Sequence, residues 1–356
     1  MDRSLFKNLL VNLRNVGIQP EVYAFSTYRN DFEKLSLQAE AEQWKPFVKT
    51  LEYTSIRVSN NVGSKKLPHA QDSCLVMNLQ KPSAILAKTL CDENVRDVRS
   101  EVESLLKKAG LEVITLKGNY RFEGGFTYAC SENIFCSNIQ DAKILKTLGQ
   151  EPVTIPNPIG KLYSDAAYVM NPTLPPILTS NEEHLDLLLS IFEKDGVHHI
   201  FIADFADFLL DPNMPETPTM LMKKRLAEYD ISVERIKKTI SKHVKNAVFH
   251  KVPSAILLDD TPATMAKVGN PEISIYSGAN LLYTSAAKDY AFYLKFPKET
   301  EELMDIQINQ EIESVLKEAG IVPIAVSDSD ESNNLGDILD SAGTRCLVKV
   351  LARENI

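Results

Sequence analysis

Three short motifs hold the side chains of this chain that could do chemistry. Cys346 ends the stretch Ala-Gly-Thr-Arg-Cys, and its thiol is a nucleophile if it is accessible and ionised. A buried cysteine at the head of a terminal strand is the structural alternative for this residue. Glu123 lies directly before Gly124 and Gly125 in the stretch RFEGG. A tight turn explains the two glycines but leaves the glutamate without a structural reason.

The third motif is a repeat that opens with an aspartate. Asp72 begins DSCLVMN and Asp165 begins DAAYVMN, and a stretch containing proline follows each. The apolar Val-Met pair between polar residues predicts a strand at both places. The second copy therefore predicts a strand over 166–170.

A second repeat predicts the helices and strands that must position these side chains. Seven of fourteen positions are identical between ESLLKKAGLEVITL at 103–116 and ESVLKEAGIVPIAV at 313–326, and a weaker copy covers 145–155. Each copy predicts a helix that ends in a glycine at the left-handed position, followed by a buried strand. Two signatures in alternation indicate a modular α/β fold.

The region 213–246 predicts a long helix that we interpret as an insertion on the modular core. Val233, Ile236, Ile240 and Val244 are spaced for one apolar face. Lysines and arginines occupy much of the remaining surface, which suits either a solvated face or a surface that binds a partner. Around it, we expect a helix over 181–194 and a strand over 198–205.

The order of DSCLVMN, then AGLEVITL with RFEGG, then AGTRCLVKVL, resembles the pentein, or guanidine-modifying, superfamily. Its members include arginine deiminases, dimethylarginine dimethylaminohydrolases and amidinotransferases. The resemblance implies a single domain over 1–356, folded as a five-bladed α/β propeller of ββαβ-type pseudo-repeats. It also implies a thiolate that attacks the guanidinium carbon while carboxylates hold the cation and a histidine moves protons.

The resemblance assigns roles residue by residue. Cys346 matches the nucleophile, Glu123 matches the glutamate of the family's EGGD turn, and Asp165 matches the aspartate of its His-x-Asp motif. Further substrate contacts are expected from Asp72, Asn78, Arg345 and Tyr163.

The pattern is degenerate at three of these positions. Phe126 replaces the last aspartate of EGGD, and Asn78 replaces an aspartate that binds guanidinium in the family. Tyr163 lies two residues before Asp165, where the histidine belongs, and an unperturbed tyrosine is a poor proton carrier at neutral pH.

Other residues are candidates for the missing base. His69 lies near the predicted site entrance, and His199 begins an apolar strand. The segment 184–186, His-Leu-Asp, reproduces the motif literally. It is followed by LLLSIF, whose spacing indicates a helix, whereas the family's motif lies at a strand end.

The resemblance and these departures leave three functions open. The first is Cys-dependent hydrolysis or amidino transfer on a small guanidino compound or a protein arginine. The second is a degenerate pentein-like protein that binds a partner or ligand without turnover. The third is a Cys-dependent deamidase of a neutral amide, because lost acidic positions suit a less cationic substrate.

Composition excludes several other classes. Forty-eight acidic against 39 basic side chains give a net charge of −9, which suits neither bulk nucleic-acid binding nor docking on anionic membranes. Five cysteines without a CxxC pair argue against a disulfide scaffold or a structural zinc site. No dinucleotide, P-loop or zinc-hydrolase motif occurs, so we expect neither an organic cofactor nor a metal.

The expected location is the cytoplasm. The sequence has no apolar run of the roughly 20 residues that span a bilayer. Asp2 and repeated asparagines interrupt the apolar core that a signal peptide would need. A secretion route without such a signal stays open.

Overall fold

The computed structural model describes the chain in segments. They are residues 22–25, 56–59, 74–78, 82–86, 103–104, 106–107, 111–116, 122, 124–130, 133–170, 184–205, 216–259, 272–284, 289–296, 307–326 and 349–353. Among the predicted site residues, His69, Asp72, Glu123, Arg345 and Cys346 lie outside these segments.

Strands make up most of the described elements. In chain order they are β1 (Val22–Phe25), β2 (Ile56–Ser59), β3 (Cys74–Asn78), β4 (Pro82–Leu86), β5 (Glu112–Thr115), β6 (Thr127–Cys130), β7 (Asn133–Cys136), β8 (Val153–Thr154), β9 (Leu189–Lys194), β10 (Val197–Asp204), β11 (Ala247–Asp259), β12 (Glu272–Ser277), β13 (Leu282–Thr284), β14 (Tyr290–Leu294), β15 (Val322–Val326) and β16 (Lys349–Arg353). The helices are α1 (Ile139–Thr147), α2 (Ile159–Met170), α3 (Leu185–Leu188), α4 (Glu216–His243) and α5 (Ile308–Glu318), with a 3₁₀ turn at Gly124–Phe126.

The described strands form five small sheets that share one pairing pattern. The sheets are β16-β1-β2, β3-β4-β5, β6-β7-β8, β9-β10-β11-β12 and β13-β14-β15. In each, the first two strands are antiparallel and the next pair is parallel. A parallel pair needs a crossover, and α1, α4 and α5 occupy that place in three sheets. The α/β class and its ββαβ units are therefore confirmed, and closure into a propeller stays a prediction.

The helix–glycine–strand repeat corresponds to a real local structure. Gly149 after α1 and Gly320 after α5 have φ of +76° and +70°. The amide of Gly320 donates to Lys317 O, and the next amide, of Ile321, donates to Leu316 O. Gly149 and Gln150 make the same two bonds at the end of α1. This double bond pattern is the Schellman ending, in which glycine adopts the left-handed conformation at no steric cost.

The long helix predicted over 213–246 is α4, and its apolar face is buried as expected. Val233, Ile236, Ile240 and Val244 are each at most 5% exposed. The interpretation of this helix as an insertion stays a prediction. The helix joins β10 to the parallel strand β11, so it is the crossover of the fourth sheet.

The strand predicted over 166–170 is wrong, because these residues form the second half of α2. The side chain of Asn157 accepts a hydrogen bond from the amide of Ile159, and Ile159 and Leu162 face the core. This start carries the helix through the DAAYVM segment, while the matching DSCLVMN segment contains strand β3. The repeated letters at Asp72 and Asp165 therefore do not mark a repeated structure.

The helix predicted over 181–194 is also wrong, since α3 is a single turn and β9 follows it at once. Asp195 and Gly196 have φ of 51° and 74° and join β9 to β10 as a two-residue hairpin. An Asp-Gly pair favours this turn. The apolar run reads like a helix because Leu189, Ile191 and Phe192 are all buried, and a strand buried on both faces loses its alternation.

The largest core cluster lies under the third, fourth and fifth sheets. Residues from α2, α3, α4 and α5 contribute to it together with β9, β10 and β14. A smaller cluster joins the second and third sheets, and Phe122 is fully buried in it. Within the described residues, no helix is long and apolar enough to cross a membrane.

Candidate functional site

The turn that follows Glu123 is held firmly at both of its ends. Phe122 is fully buried on one side, and Gly124 and Gly125 are buried within the turn. On the other side, Thr127 Oγ1 donates to Gly124 O at 3.1 Å. The amide of Ser137 in turn donates to Phe126 O at 2.9 Å. The glycines therefore serve a tight, buried turn, which ends at Phe126.

A second element brings a histidine to this turn. His184 lies at the N-terminus of α3, and its carbonyl accepts from Asn157 Nδ2 at 2.8 Å and from the amide of Leu187 at 3.2 Å. Asn157 is buried, so its amide group links the start of α2 to the start of α3. Asp186, two residues after the histidine, is fully buried.

The two elements meet through their aromatic rings. The ring centroids of Phe126 and His184 are 4.5 Å apart, and their planes are 86° to each other. Both residues are half-buried. The helical turn α3 also packs against the 3₁₀ turn and β6. The His-Leu-Asp segment and the turn Gly124–Phe126, remote in sequence, are thus in contact.

Sequence reasoning set His184 aside for a reason that the structure removes. The following residues were expected to be helical, but α3 lasts one turn and β9 begins at Leu189. The segment 184–186 therefore begins a single helical turn, and a strand follows that turn at once. The signal that could have found it is the Asp195–Gly196 pair, which predicts a hairpin and therefore a strand before it.

Asp165 and Tyr163 lie on α2. The carboxylate of Asp165 forms an ion pair with the guanidinium of Arg225 on α4, with 2.9 Å between Oδ2 and Nε. Arg225 also binds Glu228, which in turn pairs with Lys161. Among the described contacts, none joins Asp165 to the His184 turn.

His199, a candidate base, is paired with another histidine. Its Nδ1 lies 3.0 Å from Nε2 of His250, with ring centroids 5.2 Å apart and planes only 19° apart. These distances describe two nearly coplanar rings that share one N–H···N hydrogen bond. His250 also stacks on Phe201. The pair sits on neighbouring strands β10 and β11, and His199 lies three positions from the β10 residue that pairs with Leu189.

The stability of the protein is expected to fall as this histidine pair is protonated. Burial first, then the charge of Lys194, lowers the pKa of His199 below the ordinary 6.5. Burial and the neighbouring His199 lower the pKa of His250 as well. Below pH 6.5 the unfolded chain therefore binds protons that the folded chain does not, and unfolding becomes more favourable. Stability from this pair is complete above that pH and is lost as pH falls.

Urea unfolding between pH 5 and pH 7.5 measures this effect. His250→Gln is expected to reduce the protons taken up on unfolding by about one over this range. His243→Gln, at the exposed end of α4, is the matched control and should leave the pH dependence as in the wild type. Equal pH dependence in all three proteins would contradict the assignment.

Two described cysteines are buried and serve the core. Cys74 and Cys136 are fully buried. Cys136 Sγ donates to Asn138 O at 3.0 Å, and burial raises the pKa of this thiol to about 12. Such a thiol stays protonated at neutral pH and is unreactive. Within the described segments, no group of three or more His, Cys, Asp or Glu residues could hold a metal ion.

Asn78 and Tyr163 are located by their backbone. Asn78 ends β3 and is opposite Pro82 of β4, and Tyr163 lies in the second turn of α2. Their substrate contacts stay predictions, as do the roles of the site residues outside the described segments.

The chain matches no protein-family model and no curated protein sequence. Its fold is similar to that of several solved structures. The N-terminal domain of ArgZ, an arginine dihydrolase from the ornithine–ammonia cycle in cyanobacteria, is 12% identical with a TM-score of 0.49, over 93% of this chain and 98% of that one. Dimethylarginine dimethylaminohydrolase from Pseudomonas aeruginosa, complexed with citrulline, is 12% identical with a TM-score of 0.48, over 92% and 98%. The function proposed below therefore rests on the residues of this chain.

Proposed function

We propose that the protein modifies a guanidino group, free or on a protein arginine, through the thiol of Cys346. The observation that carries this proposal is the contact between His184 and the turn after Glu123. In this proposal His184 is the base that the Tyr163 alignment lacked. The contact supports that role because the turn follows directly after Glu123 in the sequence.

The chemistry follows from these groups. The thiolate of Cys346 attacks the guanidinium carbon, and the electron pair of the C=N bond moves to nitrogen. The tetrahedral intermediate collapses as the leaving nitrogen takes a proton from the His184 imidazolium and departs. An amidino-thioether remains. Neutral His184 then takes a proton from an attacking water, or from a second amine, and the carbon–sulfur bond breaks to restore the thiolate.

Carboxylates hold the substrate cation in this proposal. The two carboxylates are those of Glu123 and Asp186, and Asp186 replaces Asp165 as the aspartate of the His-x-Asp motif. Asp165 is engaged by Arg225, whereas Asp186 follows His184 by two residues and is fully buried. Paired carboxylates and a planar guanidinium form strong, directional hydrogen bonds. Asp72, Asn78 and Arg345 keep the polar contacts expected from the sequence.

A second candidate is a protein of the same fold that binds a ligand or partner without turnover. The ring of Phe126 favours it, because that ring lies against the imidazole where the resemblance expects an aspartate. An apolar neighbour makes it harder for the imidazole to carry a charge. The two candidates differ in one property, the reactivity of Cys346.

Labelling by a small amidine electrophile tests that reactivity. With chloroacetamidine we expect rapid addition of a single label, detected by intact mass, because the site concentrates an amidinium beside a thiolate. Excess arginine should slow the reaction about tenfold or more, and Cys346→Ala should abolish it.

A control variant and one contrary outcome distinguish the two candidates. Cys136→Ala is the matched control, since that thiol is buried and its pKa is about 12, so its loss should leave labelling unchanged. Slow labelling spread over several cysteines, indifferent to arginine, would contradict the catalytic proposal and favour the binding protein.

A further inference from the structure

The helix α4 has two faces of opposite character. Its inner face is buried and apolar, formed by Met222, Leu226, Tyr229, Val233, Ile236 and Ile240. At 100° per residue, the opposite side carries an apolar stripe of Met220, Ala227 and Ile231. Five cations flank or extend this stripe, and all are exposed: Lys223, Lys224, Arg235, Lys238 and Lys242. We call these eight residues the basic face.

The charges of the basic face are not balanced by its surroundings. Among the described residues, none of the five cations has an ion-pair partner, whereas Lys161, Lys237, Lys251 and Lys317 each pair with a carboxylate. Glu234, on the same side, accepts from Lys237 at 2.7 Å, and Lys238 of the basic face is among the weaker charges that lower the pKa of this carboxyl.

The spacing of these cations along α4 places like charges next to each other, which destabilises the helix when no partner is bound. Arg235 and Lys238 are three residues apart, and Lys238 and Lys242 are four apart, so their side chains are neighbours on the helix surface. Like charges at these spacings destabilise a helix. The chain as a whole has a net charge of −9, so the basic face does not follow from a generally basic composition.

The apolar stripe adds a second, independent feature. Met220 is 65% exposed and Ile231 is 54% exposed, and both are among the four large hydrophobic side chains most exposed in the described part of the chain. Their separation of eleven residues corresponds to about 16 Å along the helix. An apolar line with cations along it is complementary to a helix that presents an apolar stripe flanked by carboxylates.

We propose that the basic face of α4 binds an acidic amphipathic helix of a partner protein. Two observations favour this occupant over other anionic surfaces. The apolar stripe is one side chain wide, which matches the ridge of a single helix but buries too little surface to anchor in a membrane. In a nucleic-acid complex, Met220 and Ile231 would face phosphates across the centre of the contact. The proposal is independent of the chemistry at Cys346.

Fluorescence anisotropy with a labelled synthetic peptide tests the proposal. The probe is a helical peptide of about 20 residues with leucine along one stripe and glutamate on both flanks. We expect saturable binding to the full chain with a Kd on the order of 10 μM that weakens with added salt. Lys224→Gln with Lys238→Gln should weaken binding about tenfold, and Met220→Ser with Ile231→Ser should do the same.

Matched controls separate the basic face from general electrostatics. Lys143→Gln, on the exposed side of α1, should leave peptide binding unchanged. All substituted side chains are exposed, so circular dichroism and thermal unfolding should match the wild type. A peptide with lysine in place of glutamate should not bind.

Three results would overturn the proposal. The first is that the glutamate peptide shows no saturable binding. The second is that the double variants bind the peptide as well as the wild type does. The third is that the chain binds phosphatidylserine vesicles or duplex DNA more strongly than the peptide, and that the same variants lose this binding. The last result would assign the basic face to a membrane or a nucleic acid instead.

Discussion

Replacing His184 by asparagine is expected to slow the labelling of Cys346 by chloroacetamidine at pH 7 at least tenfold. In the proposed site the imidazolium stabilises the thiolate, and a rise of one unit in the thiol pKa lowers the thiolate fraction about tenfold. The pH dependence of the labelling rate should therefore give a lower pKa for the Cys346 thiol in the wild type than in His184→Asn. The variant should approach the ordinary cysteine value of about 8.5.

The same change should leave the fold intact. The start of α3 is held by the His184 carbonyl, which accepts from Asn157 and Leu187, and these bonds do not involve the imidazole. Asparagine also retains a polar side chain at the beginning of the helix. The control His243→Asn lies on the exposed end of α4. Identical rates and pH profiles for His184→Asn, His243→Asn and the wild type would remove His184 from the proposed mechanism.

The second large effect concerns stability. Gly278 follows β12, and its amide donates to Ser254 Oγ at 3.1 Å. A methyl group added at this position would overlap the carbonyl oxygen of Pro253 and lie 2.9 Å from Val252 Cγ1. Both neighbours belong to β11, and a backbone oxygen cannot move aside as a flexible side chain can. We expect Gly278→Ala to lower the free energy of unfolding by about 3 kcal/mol.

Urea unfolding measures the loss, and another glycine provides the control. Gly149 has no atom within 4 Å of an added methyl group, but its φ is +76°. Gly149→Ala should therefore cost about 1 kcal/mol, from backbone strain alone. If Gly278→Ala costs no more than Gly149→Ala, the close approach of residue 278 to β11 is incorrect.

Local signals were sufficient for the elements whose ends are decided by neighbouring residues. The glycines after α1 and α5 predicted both helix ends, because the Schellman bonds join residues within one turn. The apolar spacing of α4 predicted its buried face, because one side of a long helix must be covered. The tight turn predicted at Gly124 and Gly125 also agrees with the structure, since glycine allows the backbone to turn sharply within a buried segment.

Local sequence patterns gave wrong predictions where burial in the folded protein overrides them. The segments that begin at Asp165 and at Asp72 share four letters, including the aspartate. However, α2 begins just after Asn157 and continues through the first segment, while the second contains β3, which pairs with β4. The residues after His184 read as a helix because β9 is buried on both faces. Only the hairpin at Asp195 and Gly196 distinguishes the two readings.

The sequence alone determined the modular α/β class, which depends on period and capping, and these are properties of neighbours along the chain. The ββαβ units and the residues expected to act on a guanidino group came from the resemblance to the pentein superfamily. Only the tertiary structure decided that His184 meets Phe126, that Asp165 pairs with Arg225, and that His199 shares a proton with His250. Each of these contacts joins residues that are remote in sequence. The packing of elements and the register of strands set them, and no local pattern encodes either.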